Sequence, residues 1–384
     1  MLKKELKAAL AVVGTVVVPF VVFADQPIST EQVEEQPGYY PGERIKAGQL
    51  PAGYNESASY VCEDPWKIIF TADYIYWKWQ QSMMEVATLA TPTASGASGF
   101  LNGSAEVIFQ TPGYTSGFQV GLGCDLKGMD DWRVYTEYTW YKNTNDLRTT
   151  ANADQYLAIS PILIMHVNGA TPGVLLSNDL STTAHMHLDG LDLLLERPFY
   201  LGKKLTANFI AGVQALWIQQ TFSADGSDLS FISSNANAPV SVRGTFNSSW
   251  EQKSWGLGPK FGFDSNWLLG YGIKIMGSVS ASALFTSYIN LNSTTQGSVS
   301  DINIASLTFN QPKNYNTVNP IAQSALGLGW GSYFYKNNLH FDLSAWYDFN
   351  VFWSQNLIDV LVDGTGSPGN MVLHGLNVQA RFDF

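Results

Sequence analysis

The sequence predicts an all-β fold: a transmembrane antiparallel β-barrel of at least ten strands, even in number, with short periplasmic turns and long external loops. The first observation is the last nine residues. Leu376, Val378, Ala380, Phe382 and Phe384 share one strand face, and Asn377, Gln379, Arg381 and Asp383 share the other. A strict period of two ending on phenylalanine is the pattern of a closing barrel strand, one face on lipid and one on a polar lumen. The second observation is that long and short links alternate along the chain. The third is composition: aromatic residues make up 13% and charged residues 14%, against about 25% charged in an ordinary soluble domain. Mean hydropathy is −0.03, which decides nothing, because lumen-facing polar residues cancel the lipid-facing ones.

The amino end, residues 1–24, reads as a secretory signal peptide. Lys3, Lys4 and Lys7 give a positive start, Ala8 to Phe23 an apolar core, and Val22-Phe23-Ala24 the small residues a signal peptidase reads. The run is shorter than the ~20 apolar residues a spanning helix needs. Residues 25–65 hold Pro27, Pro37, Pro41, Pro51 and Pro65 and no alternating run, which predicts an extended periplasmic segment. Residues 66–384 are the barrel, bound for the outer membrane of a Gram-negative cell. The partners this implies are outer-membrane lipid and the barrel-assembly machinery, with Phe384 as the assembly signal.

Ten amphipathic strands follow from Trp66. Ile68, Phe70, Ala72, Tyr74 and Tyr76 oppose Thr71 and Asp73; Phe118, Val120 and Leu122 oppose Gln119, Gly121 and Gly123. Trp132, Val134, Tyr138 and Trp140 oppose Arg133 and Glu137; Leu191, Leu193 and Leu195 oppose Asp192 and Glu196. Leu205 through Trp217 on odd positions oppose Thr206, Asn208, Gly212 and Gln214. Trp255, Leu257, Phe261 and Phe263 oppose Ser254, Gly258, Lys260 and Asp264; Tyr271, Ile273, Ile275 and Val279 oppose Lys274 and Ser278. Leu326, Leu328 and Trp330 oppose Gly327 and Gly329, and Leu339, Phe341, Leu343 and Tyr347 oppose His340, Asp342, Ser344 and Asp348. With the terminal strand these make ten, each near the ~9–11 residues a tilted strand needs.

Short links are expected at Lys127-Gly128 and at 198–203, 265–269 and 336–338; long ones at about 80–113, 143–183, 223–249, 288–321 and 355–369. Segments 106–110 and 156–165 are candidates for additional strands. Trp79, Trp140, Trp217, Trp250, Tyr288 and Trp353 are expected to form a loop-side girdle; Phe199, Tyr200, Trp267, Tyr335 and Phe384 a turn-side one.

Tyr74-Ile75-Tyr76-Trp77-Lys78, Gly117-Phe118-Gln119-Val120-Gly121-Leu122-Gly123, Gly212-Val213-Gln214-Ala215-Leu216-Trp217 and the Phe384 ending resemble the Legionella-type major outer membrane protein family, which has relatives in chlamydia-like bacteria. The resemblance spans 66–384. It implies an abundant porin-like protein of the outer membrane, an oligomer in some cases, exposed to host surfaces. Members are often described as disulfide cross-linked, but only Cys62 and Cys124 exist here, which argues against an extensive network. Adjacent antiparallel strands place the two at one rim in an oxidising compartment; an intramolecular bridge, two free thiols and one intermolecular bridge all remain open.

Without Lys3, Lys4, Lys7 and Glu5 the formal charge falls from −11 to −13. That argues against nucleic-acid partners and suits a path that attracts cations. By parity the inward acids are Asp73, Asp125, Glu137, Asp192, Glu196, Asp264, Asp342, Asp348 and Asp383, and the inward bases Arg133, Lys260, Lys274 and Arg381. An acidic excess predicts a modest cation preference if the lumen is open; the alternative is that these groups pair within a closed interior. Catalysis is not expected. His340, Asp342 and Ser344 share a strand face, but alternate residues stand ~7 Å apart, beyond hydrogen-bond reach. His185 and His187 lack a third ligand at metal-site spacing, and no cofactor is implied. Two readings of function stand: a diffusion porin for ions and small hydrophilic solutes, or a structural or adhesive barrel whose long loops bind host or envelope partners.

Overall fold

In this computed structural model the described residues lie within 68–384, excluding 83, 92–103, 127–131, 153, 161–172, 202–203, 234–239, 242–243, 300–306, 311–314, 335–338 and 358–366. The signal and Pro-rich segments therefore lie outside them. Among the described residues all regular structure is β. In order come β1 (Ile68–Gln81), β2 (Glu85–Thr91), β3 (Ser104–Phe109), β4 (Tyr114–Asp125), β5 (Arg133–Thr150) and β6 (Tyr156–Ile159). Next are β7 (Gly173–Ser177), β8 (Asp179–Leu201), β9 (Leu205–Ser227), β10 (Ser230–Ser233), β11 (Val240–Ser241) and β12 (Gly244–Gly270). The last are β13 (Ile273–Val299), β14 (Leu307–Asn310), β15 (Tyr315–Phe334), β16 (Leu339–Asn356) and β17 (Gly369–Asp383).

Ten of these form a closed antiparallel barrel in the order β12, β9, β8, β5, β4, β1, β17, β16, β15, β13, and the β12–β13 pairing completes the ring. The chain's first and last strands meet at the seam, with Ile69 opposite Asp383 and Tyr76 opposite Leu376. Backbone bonds between Ile68 and Phe384 close its end. The predicted alternation is what the walls use. On β9, Phe209, Val213 and Trp217 are 43%, 44% and 48% exposed, while Ile210, Gln214 and Ile218 are 6%, 3% and 4% exposed.

Two turns are tighter than the sequence suggests. Residues 198–201 continue β8, and 265–269 continue β12, leaving Tyr271-Gly272 to reverse the chain. The lipid-facing period runs to the rim there, with Phe199, Trp267 and Leu269 all exposed, so the strand has no reason to stop. Gly270, Tyr271 and Gly272 all have positive φ, the conformation a two-residue hairpin requires. A side chain on Gly272 would place Cβ 2.2 Å from the Gly331 carbonyl oxygen.

The rim opposite the turns is uneven. On β5, β8, β9 and β12 the outward residues change from apolar to polar along one register row: Trp140, Asp189, Trp217 and Trp255 lie directly across from one another. Beyond that row β9 continues for ten residues, roughly 33 Å of strand. There the outward face carries polar pairs such as Arg148 with Asp179 at 2.6 Å and Asn247 with Asp225 at 2.6 Å. These strands, with β13, form a wall standing clear of the membrane.

The segments 106–110 and 156–165 do contain strands, β3 and β6, but neither joins the barrel. With β2, β7, β10 and β11 they make a separate six-stranded sheet built from three external loops. Val86, Ala87, Leu157 and Ile159 of this sheet pack against Leu180, Ala224 and Phe246 of the wall. Gln110 ties the joint: its amide donates to Asn145, and its carbonyl accepts from Thr182 at 2.6 Å.

Candidate functional site: the filled lumen

Three levels follow one another inside the barrel. The turn-side half is a charged chamber of about 260 Å³ lined by all ten barrel strands. All four predicted inward bases are here in ion pairs. Lys260 meets Asp192 at 2.7 Å and Lys274 meets Asp342 at 2.5 Å. Arg133 bridges Asp125 at 2.7 Å and Glu196 at 3.6 Å. Arg381 lies 2.8 Å from Asp383, which also hydrogen-bonds His340 at 2.8 Å. Four acids have no base within ion-pair distance among the described residues. Asp73 accepts from Gln379 at 3.0 Å, Glu137 from the Tyr135 hydroxyl at 3.1 Å, and Asp348 from Trp77 Nε1 at 3.0 Å. Asp264 has an oxygen buried without a hydrogen-bond partner. Glycine makes room for this crowding: Thr71 and Tyr135 bond at 2.7 Å over Gly121, where a Cβ would fall 2.0 Å from the tyrosine oxygen.

Above the chamber the lumen is filled with apolar side chains. Ile75, Trp77 and Trp79 of β1, Tyr141 of β5, Met186 and Leu188 of β8, and Leu216 and Ile218 of β9 form one buried cluster. Leu284, Ile321, Phe352, Met371 and Leu373 complete it from β13, β15, β16 and β17. The two strands that contribute no side chain have glycine at this level. A Cβ on Gly117 of β4 would lie 2.5 Å from the Trp140 carbonyl oxygen and 2.9 Å from Ile75, and one on Gly256 of β12 would lie 3.0 Å from the Thr286 hydroxyl and 3.3 Å from Leu284. Neighbouring side chains therefore occupy those shares of the layer, and it is continuous. Tyr141 donates to the Trp77 carbonyl at 2.8 Å, which fixes the central indole.

A third level, of amides, lies outermost. Gln220 donates to Gln81 at 2.7 Å, and Gln252 donates to Gln220 at 3.2 Å and to the Gln355 carbonyl at 2.7 Å. Asn319 donates to Gln355 at 3.1 Å and to the Tyr288 hydroxyl at 2.9 Å. The start of the last long loop is thus turned inward: Gln355, Asn356 and Leu357 are buried, and Ser354 takes a positive φ of 58° at the bend.

The family described as Legionella pneumophila major outer membrane protein precursor matches residues 61–384. The chain belongs to this family. As a member of the major outer membrane protein family it is a barrel of the Gram-negative outer membrane. No curated protein matches it. Among solved structures, the outer membrane protease OmpT from Escherichia coli is 8% identical, covering 86% of this chain and 99% of its own, with a TM-score of 0.30. A major outer membrane protein from Thermus thermophilus is 9% identical, covering 84% and 100%, at 0.26. The Pseudomonas putida toluene transporter TodX is 10% identical, covering 89% and 98%, at 0.19.

Several sequence expectations change on this family member. Trp79, Trp250 and Tyr288 face the interior and are buried, so they do not belong to a lipid girdle; Trp140, Trp217, Phe199, Trp267 and Phe384 do face outward. Tyr335 and Cys62 lie outside the described residues, whereas Cys124 is exposed on the outer wall. His340, Asp342 and Ser344 go to separate partners: Asp383, Lys274 and, for the Ser344 hydroxyl, none. No three His, Cys, Asp or Glu among the described residues are placed to hold a metal. Sequence reasoning misses the apolar layer, although its signal is present. Alternation breaks down into two-sided apolar runs at Ile75-Tyr76-Trp77, Leu216-Trp217-Ile218, Val351-Phe352-Trp353 and Met371-Val372-Leu373, the mark of strands buried on both faces.

Proposed function

We propose that this protein is a sealed surface barrel, not an enzyme, whose working parts are the external wall and six-stranded sheet that meet envelope or host partners. The observation that carries this reading is the continuous apolar layer from Trp77 to Leu373. Ions and small hydrophilic solutes cannot cross such a layer without parting its packed side chains, because a dry constriction repels them. A second reading has its own support. Four of the inward acids are unpaired by a base, and they would favour cations if the layer opened, making the protein a narrow, modestly cation-preferring porin. Under that reading Asp73, Glu137, Asp264 and Asp348 set selectivity.

Single-channel recording of the refolded protein in a planar bilayer, under a salt gradient, separates the two. The sealed reading expects no discrete steps from folded protein. It also expects steps, with a cation-sided reversal potential, from a Trp77→Ala, Phe352→Ala, Leu373→Ala variant that thins the layer. Steps from the unaltered protein would sink the sealed barrel and establish the porin.

A further inference from the structure

The outer face of the barrel carries a cluster of basic side chains on β1, β5, β8, β12 and β17. The row Tyr74, Phe118, Trp140, Asp189, Trp217 and Trp255 runs across six neighbouring strands in direct register. The row is not a level: the other way round the ring it continues through Val378, Ala345, Leu328 and Ile275 to Trp267, so it climbs from the turn side to the external side. Trp217 and Trp255, at its upper end, lie where amphipathic rings settle at the external interface. Lys78 and Lys142 stand at nearly one height, because Lys78 is one step further along its strand and Lys142 two strands further up the climb. One step further out, Lys142 is opposite His187, His187 opposite Gln219, and Gln219 opposite Lys253. A step beyond, Lys78 is opposite His374 on one side and Tyr114 on the other, and His185 lies on β8. Three lysines and three histidines thus occupy two adjacent rows, with Glu251 the carboxylate that shares them.

The positive charge here is that of the lysines, and two of the three are not neutralised by protein among the described residues. Lys253 meets Glu251 at 2.8 Å, but neither Lys78 nor Lys142 forms an ion pair among the described residues. Asp189, in the tryptophan row, is engaged by the Tyr138 hydroxyl at 2.6 Å and by His187 at 3.4 Å. A platform of aromatic rings surrounds Lys78: Tyr76 stacks on Tyr114 at 5.4 Å, and the Tyr347 hydroxyl bonds His374 at 2.5 Å. Lys78 and Lys142 are two strands and one step apart, roughly 12 Å. An unpaired cation on a lipid-facing wall is tolerated where its ammonium reaches the headgroups, and anionic groups in that layer are the partners that Lys78 and Lys142 lack within a chain of net charge −11.

We propose that this belt binds the phosphates of the glycolipid that forms the external leaflet, with Lys78 and Lys142 each contacting a phosphate and His374 beside Lys78. The occupant is phosphorylated glycolipid because the belt lies on the long-loop side and presents two separated cations to one headgroup layer.

Native mass spectrometry of the folded protein in neutral detergent, titrated with diphosphoryl lipid A, its dephosphorylated form and phosphatidylglycerol, tests this. Diphosphoryl lipid A should bind about tenfold to thirtyfold tighter than the dephosphorylated form. Lys78→Gln with Lys142→Gln should erase that preference, and Lys78→Arg with Lys142→Arg should keep it. Arg148→Gln, higher on the wall, should leave it unchanged. A heat-dependent gel shift verifies that each variant is folded. Equal binding of both lipid A forms, or a preference that survives the double glutamine variant, overturns the proposal. Phosphatidylglycerol binding as tightly as diphosphoryl lipid A overturns the assignment to glycolipid.

Discussion

At the scale of single residues, the chamber shows how parity and register divide what a sequence reveals. Alternation alone places Asp192 and Lys260 inward, but they stand 68 positions apart on β8 and β12, and only the stagger of three strands brings them to 2.7 Å. Both are about nine-tenths buried. Removing one partner leaves the other desolvated, so Lys260→Met should destabilise the barrel by about 3–5 kcal/mol, and the double change with Asp192→Leu should recover most of that loss. Urea unfolding in lipid vesicles, followed by tryptophan fluorescence, reads both values. Full stability in the single variant would show that the pair is hydrated. The partners of Arg133, Lys274 and Arg381 are hidden in the sequence for the same reason: period two gives the face of a residue and not its height.

Among elements, the instructive case is the external sheet. The segments 106–110 and 156–165 are legible as strands because each holds a short apolar run, Val107-Ile108-Phe109 in the first and Tyr156 to Ile159 in the second, yet their membership is not, since a six-residue strand pairs equally well with a barrel edge or with another loop. Burial decides it. Val86 is fully buried between the sheet and the wall, so Val86→Asp, by placing an unpaired carboxylate there, should lift the sheet. Limited proteolysis should then cut the external segments many times faster while the heat-dependent gel shift of the barrel persists; unchanged cleavage would show that the sheet is held from elsewhere. The wall's outer face behaves differently. The Arg148 hydrogen bonds depress the carboxyl of Asp179 below its ordinary range, so that contribution is present at neutral pH and is lost as pH falls through the depressed value. Because the pair is exposed, Arg148→Ala should scarcely move the unfolding midpoint at pH 7.

For the whole molecule, closure is the most legible property. Ten alternating segments with both termini on the turn side admit a ring, and the terminal strand, Leu376 to Phe384, pairs with β1 from Ile69 onward as such a ring requires. The state of the lumen is not legible from averages of charge, because the acids lie in one half and the apolar side chains that cross the lumen lie in the other. Only the local loss of alternation, at Trp77, Ile218, Phe352 and Leu373, distinguishes a filled barrel from a hollow one. That filling has a consequence for the cell. In a hollow barrel every added copy is another leak, so abundance trades against resistance to toxic solutes. On the sealed reading proposed above, a barrel packed across its waist escapes that trade: a bacterium could pave its surface with it without becoming more permeable.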